Sequence, residues 1–180
     1  MFSLIVMEKL KTFFSRDLVF SEDDKLAKSM YDKSRFGEPK GKKFYYSLFE
    51  ALYLLEVGKV DVFDGRNKKI DFDSFLKKAK RIDKDFWIRY SVFKDMRSRG
   101  YIVKTALKFG ADFRIYDRGV KPGQDHAKWI LYPVSEAKGL TWHEFSAKNR
   151  VAHSTRKKLL IGIVDSEGDV TYYDVGWTRP

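Results

Sequence analysis

Tyr116 and His126 stand ten positions apart in the stretch ADFRIYDRGVKPGQDHAKW, and a lysine-bearing run, STRKKLL, follows further along the chain. These three residue types can supply what metal-free RNA cleavage needs. A ribose 2′-hydroxyl attacks its own 3′-phosphodiester when one group takes its proton and a second protonates the departing 5′-oxygen. A cation must also offset the charge that builds on the pentacoordinate phosphorus. An imidazole, with an ordinary pKa near ~6.5, suits the proton-donor role. A phenol titrates near ~10 in water, so it acts as a base only where neighbouring cations favour the phenolate. Arg114, Arg118, Lys121, Arg156, Lys157 and Lys158 are candidates for that influence. The same residues also read as an edge-strand aromatic, a polar strand start and a solvated helix end, and their spacing does not decide between the two.

Other chemistries have weaker footing. Asp112 or Asp117 followed by Glu136-Ala137-Lys138 imitates a magnesium-dependent nuclease of the restriction type, in which two carboxylates hold the ion and the lysine assists the attacking water. Here the triplet falls past Pro133, in a segment that reads as loop. His143 and His153 lie ten apart in one helical segment, which is not the i, i+4 spacing of a local zinc pair. FGEPKGKK lacks the preceding strand and the Lys-Ser/Thr ending of a phosphate loop. No cysteine is present, which excludes disulfides, thiolate nucleophiles and Cys-ligated zinc. The residues call for no cofactor and no metal.

The bulk composition narrows the partner. Lys and Arg number 36 against 25 Asp and Glu, a formal charge of +11 on 180 residues. Lysine and arginine contacts to phosphates release counterions, so an excess of this size points to a polyanion, nucleic acid foremost. No apolar run approaches the ~18 residues a membrane span needs. The opening MFSLIVMEKL carries no basic residue ahead of its apolar run and reads as a first strand, not a signal peptide. A cytoplasmic location follows as the expectation.

The elements that must position these residues alternate between helix and strand. Residues 1–20 read as a strand pair or a strand with a loop. Residues 21–43 read as mostly loop, with a short helix near Asp24–Tyr31. Ser47 and Glu50 form a capping box ahead of the stripe Phe49, Leu52, Tyr53 and Leu55, with Gly58 closing the helix. KVDVFDG is a strand ending in a turn, and DFDSFLKKAKRI an amphipathic helix. A longer helix carries Phe86, Ile88, Tyr90, Phe93 and Met96 on its apolar face and is closed by Gly100. YIVKTAL, ADFRIYD and HAKWILYPV read as strands. Thr141 and Glu144 open a second capped helix, which runs into the strand KLLIGIVD, the turn SEGD and the last strand VTYYDVGW. The expectation is an α/β chain of mixed α+β character. It has two small domains, 1–82 and 83–180, each a mixed sheet with packed helices, and the catalytic residues lie in the second.

RGYIVKTALKFGADFRIYDRG, the histidine ten residues after its tyrosine, and RVAHSTRKKLLIGIVDSEGDVTYYDV closely resemble the archaeal tRNA-splicing endonucleases. The resemblance spans the second half and reaches YSLFEALYLLEVGKVDV in the first. It implies that Tyr116 is the general base on the 2′-hydroxyl, His126 the general acid on the leaving oxygen, and Lys157 the electrostatic stabiliser. The implied products are a 2′,3′-cyclic phosphate and a 5′-hydroxyl, formed at bulge-helix-bulge motifs of precursor tRNA without a metal. The resemblance also implies that a bulge base is clamped between side chains of the opposite active subunit. Arg150 matches one clamp residue, and Trp177 stands where some members have arginine. Arg118 and Lys121, in the loop between Tyr116 and His126, join them as RNA contacts. An acidic loop, matched by Asp165, Glu167 and Asp169, would dock into a basic pocket of another subunit in a tetramer built of one chain or of two related chains. The same residues fit an RNA-binding structural subunit that supports a separate catalytic chain.

Overall fold

A computed structural model describes residues 8–106, 110–120, 123 and 126–178. The chain divides into two compact units, Met1–Lys84 and Asp85–Pro180. It has the mixed α+β character expected from the sequence, with five helices and two sheets among the described residues.

In the first unit, β1 (Leu10–Ser15), β2 (Leu18–Glu22), β3 (Glu38–Lys40), β4 (Lys43–Tyr46), β5 (Val60–Phe63) and β6 (Lys69–Ile70) form one sheet in the order β3-β4-β2-β1-β5-β6. β1 and β5 are parallel and the other pairs antiparallel. Strict alternation sends Leu10, Thr12, Val19, Phe44, Tyr46, Val60 and Val62 into the core. Helices α1 (Lys25–Ser34), α2 (Leu48–Glu56) and α3 (Phe72–Ile82) lie on that side. Tyr31 packs on Phe44 and Phe75 packs edge-on against Phe14. The expected capping box is present: Ser47 Oγ accepts from the Glu50 amide at 3.2 Å, and Glu50 Oε2 accepts from the Ser47 amide at 3.0 Å. The other Glu50 oxygen accepts from the Gly37 amide. Gly37 has φ +73°, and a Cβ there would lie 2.7 Å from the Tyr46 ring, so glycine is required on both counts.

Residues 21–43 differ from the mostly loop reading. α1 is a ten-residue helix with Asp24 as its N-cap, and β3 and β4 form a hairpin turned at Gly41. β3 is wholly exposed at the sheet edge, so it carries no apolar signature to find. Of the expected first strand, residues 1–7 lie outside the described residues.

The second unit contains α4 (Phe86–Ser98), β7 (Ile102–Thr105), β8 (Phe113–Tyr116), β9 (Trp129–Ser135), α5 (Trp142–Ser154), β10 (Lys158–Val164) and β11 (Val170–Val175). The sheet order is β11-β10-β9-β8-β7, with β9 and β10 parallel and the remaining pairs antiparallel. Phe93 of α4 meets Phe113 at 5.8 Å between ring centroids. A Cβ on Gly162 would lie 3.2 Å from both Val92 of α4 and Tyr172 of β11, so the side chains of both elements pack closely over this strand position. The alternate residues Ile130, Tyr132, Leu159 and Ile161 share a second core with Ala152 of α5. Covering both faces accounts for the nearly continuous apolar runs of β9 and β10. Among the described residues no helix is long and apolar enough to cross a membrane.

Candidate active site

The strand directions bring the sequence-predicted residues to one end of the second sheet. β8 runs antiparallel to β9, and β9 runs parallel to β10. The last residue of β8 and the first residues of β9 and β10 therefore share one sheet end. Tyr116 is that last residue of β8, and Lys157 immediately precedes β10. Ile115 pairs with Trp129, and Trp129 with Lys158. One step further out, the register sets Tyr116, Lys128 and Lys157 side by side. The Lys128 backbone ties the row together: its amide donates to Ile115 O at 2.9 Å, and its carbonyl accepts from the Lys158 amide at 3.0 Å.

Tyr116 is 5% exposed, in a buried cluster with Ile102 and Ala127 that Val120 partly covers. Ala127 is the residue after His126. Its burial against Tyr116 anchors the backbone that carries the exposed imidazole. His126 itself lies three residues before β9, in the connecting loop and not in the strand that HAKWILYPV suggested.

Lys157 is placed by the way α5 ends. Arg156 takes a left-handed conformation, φ 56°, and its amide donates to His153 O at 2.9 Å. The Lys157 amide donates to Ala152 O, also at 2.9 Å. These two bonds are a Schellman closure in which Lys157 is the second residue beyond the cap. Its ammonium donates to Thr155 O at 2.8 Å, where the helix leaves carbonyls without amide partners.

One further ion pair at this end was not expected from the sequence. Asp117 Oδ2 accepts from Lys128 Nζ at 3.0 Å, which closes the mouth of the β8–β9 connection. That hydrogen bond, and a second from the Arg118 amide, lower the Asp117 carboxyl below its ordinary range. The Arg118 guanidinium is exposed and lies 5.1 Å from the Tyr101 ring centroid. Lys121 lies outside the described residues. Lys158 faces away, with its ammonium 3.4 Å from Asp174 of β11.

Arg150 is exposed on α5, and Trp177 is 55% exposed. His153, three positions along α5 from Arg150, packs against Trp177 with ring centroids 4.5 Å apart. The three acids of the β10–β11 turn are not equivalent. Asp165 Oδ1 accepts from the Glu167 and Asp169 amides, each at 2.9 Å, so this carboxylate builds the turn. Glu167 and Asp169 are exposed. Asp165→Ala is expected to cost about 1 kcal/mol and to lower the calorimetric melting temperature by ~4–8 °C. Asp165→Asn keeps the acceptor and stays close to wild type. Equal melting of all three proteins would remove the turn-building role.

The restriction-type trio does not assemble. Glu136 Oε1 accepts from the Ser166 amide at 2.9 Å, Asp112 pairs with Arg89 at 2.8 Å, and Lys138 lies 3.8 Å from Asp85. Among the described residues no group of three or more His, Asp or Glu side chains is placed to hold a metal ion. Two other tyrosines of this unit are held as neutral phenols. Burial pushes Tyr132 up to about 12, with Asp112 adding to the effect, and its hydroxyl donates to Gly110 O. Burial and a hydrogen bond to Asp95 push Tyr172 higher still.

The unit that carries these residues matches a family model. Residues 86–172 match the family model described as tRNA intron endonuclease, catalytic C-terminal domain, and residues 10–76 match the tRNA intron endonuclease, N-terminal domain. The chain belongs to the tRNA intron endonuclease family. Its relatives include proteins named tRNA-splicing endonuclease. That of Pyrococcus furiosus is 41% identical over 94% of this chain and 97% of its own length. That of Nanoarchaeum equitans is 48% identical over 74% and 88%. That of Methanothermobacter thermautotrophicus is 39% identical over 86% and 89%.

Proposed function

We propose that the chain is the catalytic subunit of a tRNA-splicing endonuclease, a tRNA-intron lyase that excises introns from precursor tRNA at bulge-helix-bulge motifs without a metal. The supporting observation is the strand register that sets Tyr116 and Lys157 on either side of Lys128 at one sheet end, with Ala127, the neighbour of His126, packing next to Tyr116. In this reading Tyr116 takes the 2′-hydroxyl proton. O2′ then bonds to phosphorus and the P–O5′ bond breaks. His126 protonates O5′, and Lys157 offsets the charge on the phosphoryl oxygens. One strand ends in a 2′,3′-cyclic phosphate and the other in a 5′-hydroxyl. A bulged nucleotide can be splayed into the in-line geometry this attack requires. Arg150, Trp177 and Arg118 hold the RNA, residues 1–82 form the N-terminal domain and 83–180 the catalytic one, and the enzyme works in the cytoplasm.

The protein acts as a tetramer, of one chain or with a related second subunit. Edge strand β11 supports this, because its Tyr173 is 55% exposed beside an apolar groove of about 400 Å³ lined by Leu140, Phe145, Ile161, Ile163 and Val175. Glu167 and Asp169 are the acids presented to a basic pocket. The decisive test is cleavage of a bulge-helix-bulge RNA in excess EDTA. Full activity and a cyclic phosphate product are expected. Activity lost to the chelator and restored by Mg²⁺ would overturn the mechanism, and cleavage only after adding a second chain would make this one the supporting subunit.

A further inference from the structure

The first sheet has an outer face that its three helices leave uncovered, and aromatic rings are lined up across it. Phe20 pairs with Tyr45, Phe13 with Phe20, and Phe13 with Phe63. Because laterally paired residues point to the same face, Tyr45, Phe20, Phe13 and Phe63 form one row across β4, β2, β1 and β5. Ring centroids along the row are 6.3, 5.6 and 6.3 Å apart. All four rings are partly exposed, whereas their neighbours along the strands, Val19, Phe44, Tyr46 and Val62, are buried beneath the helices. Two ammonium groups lie over the row. Lys43 Nζ is 4.2 Å from the Phe20 centroid, and Lys11 Nζ is 4.7 Å from Phe63 and 5.2 Å from Phe13.

From this row we infer a second RNA-binding surface, on which unpaired nucleotides of the precursor stack against Phe13, Phe20, Tyr45 and Phe63 while Lys11 and Lys43 meet their phosphates. The inference rests on the RNA-cleaving reading above and extends it to the first unit. Neighbouring strands stand ~4.8 Å apart, so the row is roughly 14 Å long, enough for two or three bases. Base faces stack on aromatic rings whatever the sequence, and lysines beside the rings supply the phosphate contacts. The row and its cations favour RNA over protein, because a protein-binding patch is depleted in lysine. The acids nearby do not cancel the cations. Glu22 meets Lys43 at a loose 3.8 Å in an exposed pair, and Asp61, beside Lys11 in the register, bonds Lys69 at 2.8 Å.

The test compares wild type with the double variants F13L/F20L and K11Q/K43Q as full-length protein. Binding is measured by fluorescence anisotropy with a labelled single-stranded oligouridylate and with a labelled precursor tRNA. Leucine keeps the row apolar but removes the stacking faces. Each double variant is expected to weaken both RNAs at least about tenfold. Circular dichroism and light scattering should show fold and mass unchanged. Unchanged binding by the folded variants overturns the inference and leaves the active-site reading standing. Wild type that binds oligouridylate through this row but does not cleave precursor overturns the active-site reading alone. A changed particle mass identifies the row as a protein contact and also overturns the inference. Where a variant does not fold, photo-crosslinking of wild type to 5-iodouridine-substituted precursor decides. Adducts on the four aromatic residues are expected, and adducts confined to the second unit refute the surface.

Discussion

His126→Ala is expected to slow cleavage of a precursor tRNA by about 10²–10⁴-fold, the range a positioned general acid supplies, with RNA affinity roughly unchanged. His126 is exposed in a connecting loop, and the backbone beside it is held by Ala127, whose burial the substitution does not disturb. Removing the imidazole therefore removes a proton source without opening the core. A substrate with sulfur in place of the 5′-bridging oxygen separates this role from a structural one. A thiolate leaves without needing a proton, so the variant is expected to cleave the sulfur substrate at close to the wild-type rate. Full activity of His126→Ala on the ordinary substrate would end the acid assignment. A sulfur substrate cut as poorly as the oxygen one would turn His126 into a positioning residue.

How much of this site the sequence carried differs from residue to residue. The types of Tyr116, His126 and Lys157 defined a reaction, but their chain spacing alone slightly favoured the bland alternative. The family resemblance tipped that balance before any coordinates did. The register then supplied what spacing lacks, since β8 antiparallel to β9 and β9 parallel to β10 is a fact of pairing and not of periodicity. Elements with strong local signals were legible: both capping boxes form as read, at Ser47 and Thr141. Strand β3 was not, because an exposed edge strand has no buried face to alternate. Pair contacts were hidden for a different reason. Asp117 with Lys128, His153 with Trp177, and the row from Tyr45 to Phe63 each join residues far apart in the chain. Asp165 shows a structural use that its charge did not announce, since one of its carboxylate oxygens accepts from two amides of its own turn.

Phe113→Ala should give the largest loss of stability, because it removes the side chain that joins β8 to α4. Phe113 is fully buried, lies 5.8 Å from Phe93, and pairs laterally with Thr105 and Leu131. Deleting a buried phenyl ring costs about 3–5 kcal/mol, because the transfer free energy is lost and the surroundings collapse only in part. Against a total of roughly 5–15 kcal/mol for a domain, that is a large share. For a unit of this size the melting temperature falls by ~4–8 °C for each kcal/mol, so a drop well beyond ten degrees is expected by calorimetry. Phe113→Leu, which keeps most of the volume, is expected to cost less than about 1.5 kcal/mol. The consequence reaches the site because β8 is only four residues long and Tyr116 is its last. Loosening the strand at Phe113 frees Tyr116, and with it the Ala127 contact that anchors the backbone beside His126, while leaving Lys157 on its own anchor. Activity of Phe113→Ala is therefore expected to fall at temperatures well below its unfolding transition, and Phe113→Leu to stay close to wild type in rate. An alanine variant with unchanged melting would show that β8 is not held through this ring, and one that melts early but cleaves at the full rate would uncouple the strand from the reaction.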